Sequence, residues 1–252
     1  MSKESTLNLF RRLEQLNGIG AALSRERDIE RLLENILEAA KTITGADGGT
    51  LYSVTEDQSA LKFEILRTDS LGIRLGGTTG KAVDLPLLPL RTPDGAPNDS
   101  LIAAHAAIHD RTVNIADAYC AKGVDFSGTR AFDERTGYRS QSFLTVPMKN
   151  HDRELIGVLQ LINARDPETG AIIPFSQADQ SLAESLASQA AIALTNRLLV
   201  SQLERLFESF VNLINLAIDE KSPYTGGHCQ RVPALTMMLA EAAHAVQEGP
   251  LA

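Results

Sequence analysis

Residues 142–163 have the sequence SFLTVPMKNHDRELIGVLQLIN, in which two runs of branched, aromatic and other apolar residues flank a polar segment. The runs at 142–149 and 154–163 have the length and composition of β-strands. The segment between them, NHDR at 150–153, has the composition of a turn. The sequence therefore predicts that these two strands form an antiparallel hairpin.

Further strands are predicted earlier in the chain, at 49–55 (GTLYSVT), 61–67 (LKFEILR) and 112–115 (TVNI). A helical piece near 99–109 precedes the third of them. The stretch 68–98 is rich in Gly, Pro and Asp and is predicted to be a loop. Loops of that length in compact domains are usually functional or mobile.

The first helix is predicted from a stripe of apolar or small residues with alternating spacings of four and three. The stripe consists of Leu9, Leu13, Leu16, Gly20 and Leu23. Such spacing places all of them on one helical face and leaves the opposite face to charged residues. The sequence therefore predicts a helix whose stripe packs on the rest of the protein.

Capping residues mark the limits of two further helices. Asp28 is a candidate N-cap for a second helix, and Gly45 is expected to end that helix in the left-handed conformation. A long third helix is predicted to begin at Ser176, which forms a variant capping box with Asp179.

The long C-terminal helix carries an apolar repeat that continues the alternating spacing. This apolar repeat consists of Ile192, Asn196, Leu199, Leu203, Leu206, Phe210, Leu213 and Ala217. Its length favours a coiled coil with a second chain, and the alternative is a long helix packed on its own sheet. Asn196 either fixes the register of a two-stranded coiled coil or is a solvated residue at a helix end.

The order helix, sheet, helical insertion, sheet, helix predicts an α+β fold with an antiparallel sheet. The first helices and the last helix should lie together on one face of the sheet, because each needs an apolar surface to cover. The other face and the insertion at 68–140 should then enclose a cavity, where a small ligand binds.

Composition narrows the possible function classes. The chain has 252 residues with 24 Lys and Arg against 32 Asp and Glu, which gives a net charge of −8. Such an acidic balance argues against a nucleic-acid-binding protein, which needs a basic surface. No apolar run is long enough for a membrane span, and the N-terminus does not look like a secretory signal. With only two cysteines, we expect a cytoplasmic protein without a disulfide framework.

Four blocks of the sequence resemble a GAF domain, a small-molecule sensor module, and they occur in the family's order. They are VNIADAY (113–119), FDERTGYRSQSFLTVPM (132–148), ELIGVLQLINA (154–164) and PFSQADQSLAESLASQAAIALTN (174–196). The resemblance extends over about residues 20–200 and is strongest to the subgroup found in cyclic-nucleotide phosphodiesterases and bacterial signalling proteins. It implies the GAF fold and a small ligand, with a cyclic nucleotide as one candidate.

That subgroup carries a scattered Asn-Lys-Phe-Asp-Glu signature, which this chain matches in part. Asn163, Phe175 and Asp179 agree with it, whereas Ala164 replaces the Lys and Gln180 replaces the Glu. The family resemblance implies a salt bridge between the Lys and the Asp that locks the fold over the ligand. Without the Lys, we expect Asp179 to take another partner or to cap the helix.

The segment LAIDEKSPYTGGHCQRV at 216–232 resembles the opening of an HD-GYP domain, a metal-dependent phosphohydrolase that linearises cyclic di-GMP. The resemblance implies that His228 ligates a metal in the complete parent domain. Tyr224 stands where a trinuclear subgroup has Glu, so a binuclear parent with Fe or Mn is expected. A hydrolytic site needs several ligands around a metal-bound water. The chain as given is therefore expected to have no cofactor and no catalytic activity.

Candidate ligand-binding residues follow from the resemblance to cyclic-nucleotide-binding members. They are Thr50 on the first strand, Asp117, Asp133 and Thr136 in the insertion, and Gln160 on a central strand. Their hydroxyl, carboxylate and amide groups suit the edge of a base. For each Asp, a helix cap or a turn is an equally supported interpretation.

Two aromatic residues complete the candidate site, because Phe126 and Phe132 can stack on a planar ring.

Among other candidates, His105 and His109 are four apart on a presumed helix, a spacing that suits a metal. No third ligand is evident in the sequence, so surface or capping residues are the favoured interpretation. Cys120 is a weak candidate for bilin attachment, because Ala121 stands where the usual His would follow.

The sequence predicts four segments: an N-terminal dimerisation helix at 1–24, a GAF sensor domain at 25–196, a coiled-coil signalling helix at 197–218, and an incomplete HD-GYP part at 219–252. The leading hypothesis is a small-molecule-sensing module of a bacterial signalling phosphohydrolase that acts on cyclic di-GMP. We expect a homodimer through the N- and C-terminal helices, with no nucleic acid and no membrane span. The alternative is a ligand-free GAF dimerisation scaffold.

Overall fold

The computed structural model describes the backbone of residues 3–121, 123, 125–221 and 228–245, and the side chains of these except 3–13, 131, 219–221 and 228–230. The chain divides into two compact units, Met1–Arg197 and Leu198–Ala252.

The helices are α1 (Lys3–Arg25), α2 (Ile29–Thr44), α3 (Ile102–His109), α4 (Ser127–Thr136), α5 (Gln177–Lys221) and α6 (His228–His244). The strands are β1 (Ala46–Val54), β2 (Ala60–Thr68), β3 (Ile73–Gly76), β4 (Leu88–Pro89), β5 (Val113–Ile115), β6 (Phe143–Lys149), β7 (Leu155–Arg165) and β8 (Ile172–Ile173). None of the helices within the described ranges has the length and apolar character needed to cross a bilayer.

The strands form one antiparallel sheet with the order β3-β2-β1-β7-β6-β5, to which β4 adds on β2 and β8 on β7. The predicted hairpin is confirmed, since β6 pairs with β7 across the turn at 150–153. Gly157 lies where β7 closely approaches β1, because a Cβ there would stand 2.1 Å from the carbonyl oxygen of Tyr52. Any other residue at that position would push the two central strands apart.

Alternation along the central strands divides their side chains between two faces of the sheet. On β7, Leu159 and Leu161 belong to the main apolar core, whereas Val158 and Ile162 belong to clusters on the other face. The main core takes Leu16 and Leu23 from α1 and further buried residues from α2 and the first half of α5. The prediction that the first and last helices cover one face of the sheet is therefore confirmed.

The opposite face is covered by the insertion between β3 and β6. Two smaller apolar clusters lie here, one with Ala103 and Ala107 of α3 and the other with Ile102 and Phe126. The predicted α+β architecture with the insertion on the second face is confirmed.

The predicted caps are also confirmed. Asp28 accepts a hydrogen bond from the backbone N–H of Arg31 at 2.9 Å, and Gly45 ends α2 with φ of 67°. At the start of α5, the backbone N–H of Ser176 donates to Asp179 at 3.0 Å, and the Ser176 hydroxyl accepts from the Asp179 N–H at 3.2 Å. These reciprocal bonds are those of a capping box.

Helix α5 is continuous over 45 residues, and burial changes along it. Leu182 and Leu186 are buried in the main core, which agrees with packing on the sheet. From Leu198 onward the large apolar side chains are exposed, with Leu203 and Leu206 each 67% accessible. The helix is thus confirmed, and the second chain expected along the apolar repeat stays a prediction.

Candidate functional site

A cavity of about 420 Å³ lies on the face of the sheet opposite the main core. Its base is formed by β1, β2 and β7, and α3, α4 and the loop before β4 form its walls. The volume is within the range of about 300–1,000 Å³ that is typical of small-molecule sites. The fold thus provides the predicted cavity at the predicted place.

The base of the cavity carries a row of polar side chains across three strands. Thr50 on β1 is the register partner of Gln160 on β7, and Gln160 is the partner of Thr145 on β6. All three residues are buried, and Thr50 and Gln160 line the cavity. Strand register thus brings together two of the predicted ligand-binding residues, which are 110 positions apart in the chain.

Gln160 is held by hydrogen bonds but keeps spare bonding capacity. Its Oε1 accepts from the Tyr52 hydroxyl at 3.1 Å, and its Nε2 donates to the Thr145 hydroxyl at 3.2 Å. An amide side chain can donate two hydrogen bonds and accept two, so one N–H and one lone pair remain. Burial raises the pKa of Tyr52 well above its ordinary value, so its phenol stays neutral and remains a donor.

Aromatic side chains form much of the remaining wall. Phe126 and Phe143 lie with ring centroids 5.5 Å apart, and Phe63 lies 4.7 Å from Tyr52. Phe132 also lines the cavity and is half-buried. The predicted stacking residues Phe126 and Phe132 therefore both reach the cavity, where their faces suit a planar ligand.

Two of the charged residues that line the cavity have close intramolecular partners. The Arg67 guanidinium is 2.7 Å from Glu34. The backbone N–H of Ser127 donates to Asp125 at 2.8 Å, and this bond lowers the pKa of that carboxyl group.

Arg135 is a third charged residue that lines the cavity. Its side chain is exposed, and its guanidinium carbon lies 5.9 Å from the centroid of the Phe132 ring. The wall therefore offers a ligand apolar and neutral polar contacts together with one cationic group.

Three predicted ligand-binding residues are not among those that line this cavity, and their role in ligand binding stays a prediction. Asp117 caps a turn through the backbone N–H of Tyr119 at 2.9 Å, and Thr136 donates to the carbonyl of Phe132 at 2.8 Å within α4. Asp133 is buried and accepts from Ser140 and Tyr119. The alternative interpretation, a cap or turn residue, agrees with the contacts of Asp117 but not with those of Asp133, which lies within α4 and bonds residues outside that helix.

Asp133 organises the segment between α4 and β6. One carboxylate oxygen accepts from the Tyr119 hydroxyl at 2.6 Å and the Ser140 N–H at 2.8 Å, and the other accepts from the Ser140 hydroxyl at 2.8 Å. The hydrogen bond to Asp133 raises the pKa of Tyr119 above its ordinary value. The carboxylate therefore positions Ser140, which lines the cavity.

The signature residues have structural contacts. Asn163 is buried with φ of 57°, and its Oδ1 accepts from the backbone N–H of Gln141 at 2.7 Å. Its Nδ2 donates to the carbonyl of Arg139 at 2.7 Å, which holds the start of β6 against β7. Phe175 is buried in the main core, and Asp179 caps α5 through Ser176. The prediction that Asp179 takes another partner or caps the helix is therefore confirmed.

Sequence reasoning missed several cavity residues, chiefly Tyr52, Arg67 and Tyr138. The Tyr138 hydroxyl donates to Asp47 at 2.6 Å, and burial together with this bond raises the pKa of Tyr138 well above its usual range. No local motif marks these residues, because their position follows from strand pairing and from the path of the insertion. For Tyr52, the alternation within β1 supplied a signal, since it places Tyr52 on the same face as Thr50.

The other predicted sites lie elsewhere. Cys120 is exposed in the loop after β5, with its Sγ 3.7 Å from Asp117. His228 is the first residue of α6, and its side chain lies outside the described residues, as does Tyr224 altogether. His105 and His109 lie on α3 beside Asp99, with His109 Nε2 2.6 Å from its carboxylate. These bonds lower the pKa of Asp99 below its usual value, the bond to His109 most of all.

An antiparallel sheet with helices on one face and a partly open cavity on the other is an α+β architecture suited to binding a small ligand. The GAF domain of a phosphoenolpyruvate-protein phosphotransferase from Coxiella burnetii has this fold, with TM-score 0.57 and 15% identity over 77% of this chain and 99% of that one. The free methionine-R-sulfoxide reductase from Neisseria meningitidis has TM-score 0.53 and 16% identity over 79% and 95%. The family of GAF domains matches residues 28–194, and the chain belongs to that family.

One curated relative is similar to part of this chain. It is the dual 3′,5′-cyclic-AMP and -GMP phosphodiesterase 11A of Takifugu rubripes, 30% identical over 118 residues. The aligned part is 47% of this chain and 12% of that protein, so the match concerns a small part of the relative. The chain is therefore, at the level of its family, a small-molecule-binding regulatory module.

The contrasting contacts of the two aspartates predict different effects on stability. Asp133→Ala leaves three buried or part-buried donors without their acceptor and should lower the free energy of unfolding by about 2–4 kcal/mol. Asp117→Ala, at a half-buried turn, should cost about 1 kcal/mol or less. Urea unfolding followed by far-UV circular dichroism measures both, and equal losses for the two variants would contradict the assignment.

Proposed function

We propose that the domain is a regulatory sensor for a small planar ligand that presents a hydrogen-bond donor and acceptor on one edge. The observation that carries this proposal is the buried amide of Gln160, which keeps one N–H and one lone pair at the base of the cavity. The nucleobase of a cyclic nucleotide has such an edge.

Energetics support a polar ligand edge at this position. Buried polar groups are normally hydrogen-bonded, and unfilled bonding capacity in an apolar surrounding is unfavourable. A ligand that pairs with the Gln160 amide removes this cost, and its ring gains contacts with Phe126 and Phe132 on the wall. The combination of an aromatic wall with one amide favours a planar heterocycle over an aliphatic compound.

The name of the curated relative agrees with a cyclic nucleotide as the ligand. That protein is a phosphodiesterase of cyclic AMP and cyclic GMP. Because the match covers 12% of its length, the relative's activity is not transferred here, and its name only guides the choice of ligands to test.

Signal output is proposed to run through α5 in a homodimer. Helix α5 is continuous from the core of the sheet into the apolar repeat, and exposed members of the repeat such as Leu203 and Phe210 suit a seam with a second copy. Ligand binding would favour one packing of the paired helices, which is a population shift that a following domain detects. The N-terminal helix α1 is proposed to join the same dimer.

The following domain is proposed to be an HD-GYP phosphohydrolase acting on cyclic di-GMP, on the strength of the motif at 216–232. The HD-GYP-like segment does not by itself fit a hydrolytic metal centre, since the resemblance assigns it one ligand, His228, and several are required. We therefore propose that the chain itself does not hydrolyse the dinucleotide, and that a longer protein does so with Fe or Mn.

A ligand-free dimerisation scaffold is the second candidate. It is favoured by the exposed apolar repeat together with the two departures from the signature, Ala164 and Gln180. The two candidates differ in one measurable property, which is binding in the cavity.

Gln160→Met should weaken binding of the responsive ligand about tenfold or more, because the ligand edge loses its partner. Thermal shift and calorimetry of the wild-type chain against cyclic AMP, cyclic GMP and a metabolite panel identify that ligand first. The matched control is Gln180→Met, since Gln180 lies outside the cavity and bonds Glu184 at 2.9 Å. If no compound stabilises the wild type, the scaffold replaces the sensor.

The double variant Leu203→Glu with Phe210→Glu should convert the dimer to a monomer, because four charges would face one another in the seam. Sedimentation velocity measures the change. The control pair Ser201→Glu with Asn212→Glu adds the same charge outside the apolar repeat and should leave the dimer intact. A wild-type chain that is monomeric at all concentrations would refute the proposal.

The chain should produce no linear dinucleotide from cyclic di-GMP in the presence of Mn²⁺ or Fe²⁺, because the ligand set is incomplete. A protein that extends beyond residue 252 should do so. Chromatography of the reaction mixture measures the product, and turnover by this chain alone would contradict the assignment.

A further inference from the structure

Three side chains with metal-ligating atoms converge at the surface of α3, outside the cavity. Asp99 Oδ1 lies 3.0 Å from His105 Nδ1 and 2.6 Å from His109 Nε2. One ligand atom from each residue lies within 4.8 Å of the other two. From this arrangement we propose that Asp99, His105 and His109 bind one transition-metal ion of the Zn²⁺ type, a site independent of the proposed sensor function.

The backbone explains why the two histidines act together. Residues four apart on a helix lie on the same face, and the two imidazole rings have centroids 4.5 Å apart. Asp99 comes from the segment just before the helix, and its carboxylate lies over that face. The helix alone thus supplies two ligands, and the preceding segment supplies the third.

The segment that carries Asp99 is itself held in place. The Asn98 amide donates to the carbonyl of Pro89 at 2.8 Å, and the backbone N–H of Asp125 donates to the carbonyl of Ser100 at 2.7 Å. Anchors on both sides of Asp99 reduce the conformational entropy that the carboxylate would lose on binding an ion. The third ligand is therefore preorganised.

The distances suit coordination after a small adjustment. Zinc binds imidazole nitrogen and carboxylate oxygen at about 2.0–2.2 Å in a tetrahedral arrangement, so ligand atoms around one ion are separated by about 3.3–3.6 Å. The two separations from Asp99 Oδ1, 3.0 and 2.6 Å, are hydrogen-bond distances, and the carboxylate has to move back by less than about 1 Å to admit an ion. The residues are accessible to the solvent, with side-chain exposures of 53%, 35% and 43% for Asp99, His105 and His109.

Both ligand types agree with the proposed ion. Imidazole and carboxylate together suit Zn²⁺ and other divalent first-row metals, and either imidazole nitrogen can coordinate. Three protein ligands leave at least one position for water. The pair His151 and Asp152 is a useful comparison, because it has two potential ligands and not three. His151 Nε2 lies 3.1 Å from the Asp152 carboxylate, with no third ligand among the described side chains.

The proposed metal site lies on α3, which also forms part of the cavity wall. Ile102 and Ala103 at the start of α3 line the cavity, while the side chains of His105 and His109 are partly exposed to solvent. An ion would tie Asp99 to the last turn of this eight-residue helix, which has no side-chain N-cap. Metal binding is therefore expected to stabilise the wall of the cavity.

The test is a titration of the full chain, prepared without a histidine tag and stripped with a chelator. Isothermal titration with Zn²⁺ should show one high-affinity ion per chain, and Co²⁺ should give a visible absorption band at the same stoichiometry. His105→Ala with His109→Ala should abolish both signals. Asp99→Ala should weaken binding at least about tenfold, since loss of even an indirect partner of a ligand costs about 10–100-fold.

Two control variants separate the proposed site from other donors. His151→Ala removes the two-residue pair, and His228→Ala with Cys229→Ser removes adjacent donors near the C-terminus. Neither change should alter the affinity or the stoichiometry of the high-affinity ion. Circular dichroism checks that each variant remains folded.

Three outcomes would overturn the proposal. They are wild-type binding by the double histidine variant, loss of the ion on changing His228 and Cys229, and unchanged affinity in Asp99→Ala. The last would leave a two-histidine surface contact without the third ligand. A ligand that binds the folded state raises the melting temperature as its concentration increases. A larger rise with Zn²⁺ in the wild type than in the His105→Ala, His109→Ala variant would therefore support the proposal.

Discussion

The pairing of β1, β7 and β6 is the constraint on which the rest of the structure depends. Their register sets Thr50, Gln160 and Thr145 side by side on one face and sends Leu159 and Leu161 into the core on the other. Because side chains alternate with a period of two, a shift of one residue would exchange the faces. Gln160 would then enter the apolar core without partners, and the cavity would lose its polar base.

Buried polar side chains hold the insertion in place on this sheet. Asp47 accepts from the hydroxyls of Ser70 and Tyr138, both at 2.6 Å, and lies 2.8 Å from Arg165. Asp133 binds Ser140 in a similar way, on the segment that leads into β6. Few residues between β3 and β6 take part in strand pairing, so this segment is held mainly by hydrogen bonds to the two carboxylates. Hydrogen bonds to a charged group are stronger than those between neutral groups. The cavity wall therefore depends on two carboxylates, Asp47 and Asp133, that do not themselves line the cavity.

The same insertion links the two proposed sites. Helix α3 lines the cavity through Ile102 and Ala103 and also carries His105 and His109. If both proposed sites are occupied, each ligand would stabilise the same backbone conformation of this short helix. The cavity and the proposed metal site thus share one structural element, whereas the first half of α5 packs on the other face of the sheet.

The sequence by itself determined the elements whose signals are local. The β6–β7 hairpin, the Asp28 and Ser176 caps and the α+β order follow from propensity, turn composition and periodicity, which act over a few residues. Tertiary structure alone decided which side chains of the insertion face the cavity. Within the insertion, hydrogen bonds to neighbouring residues hold the side chains of Asp117, Asp133 and Thr136. The Asp99 carboxylate lies within hydrogen-bond distance of two histidines on the following helix. The physical reason is that a loop side chain takes its direction from contacts across the fold, and no spacing in the sequence encodes them.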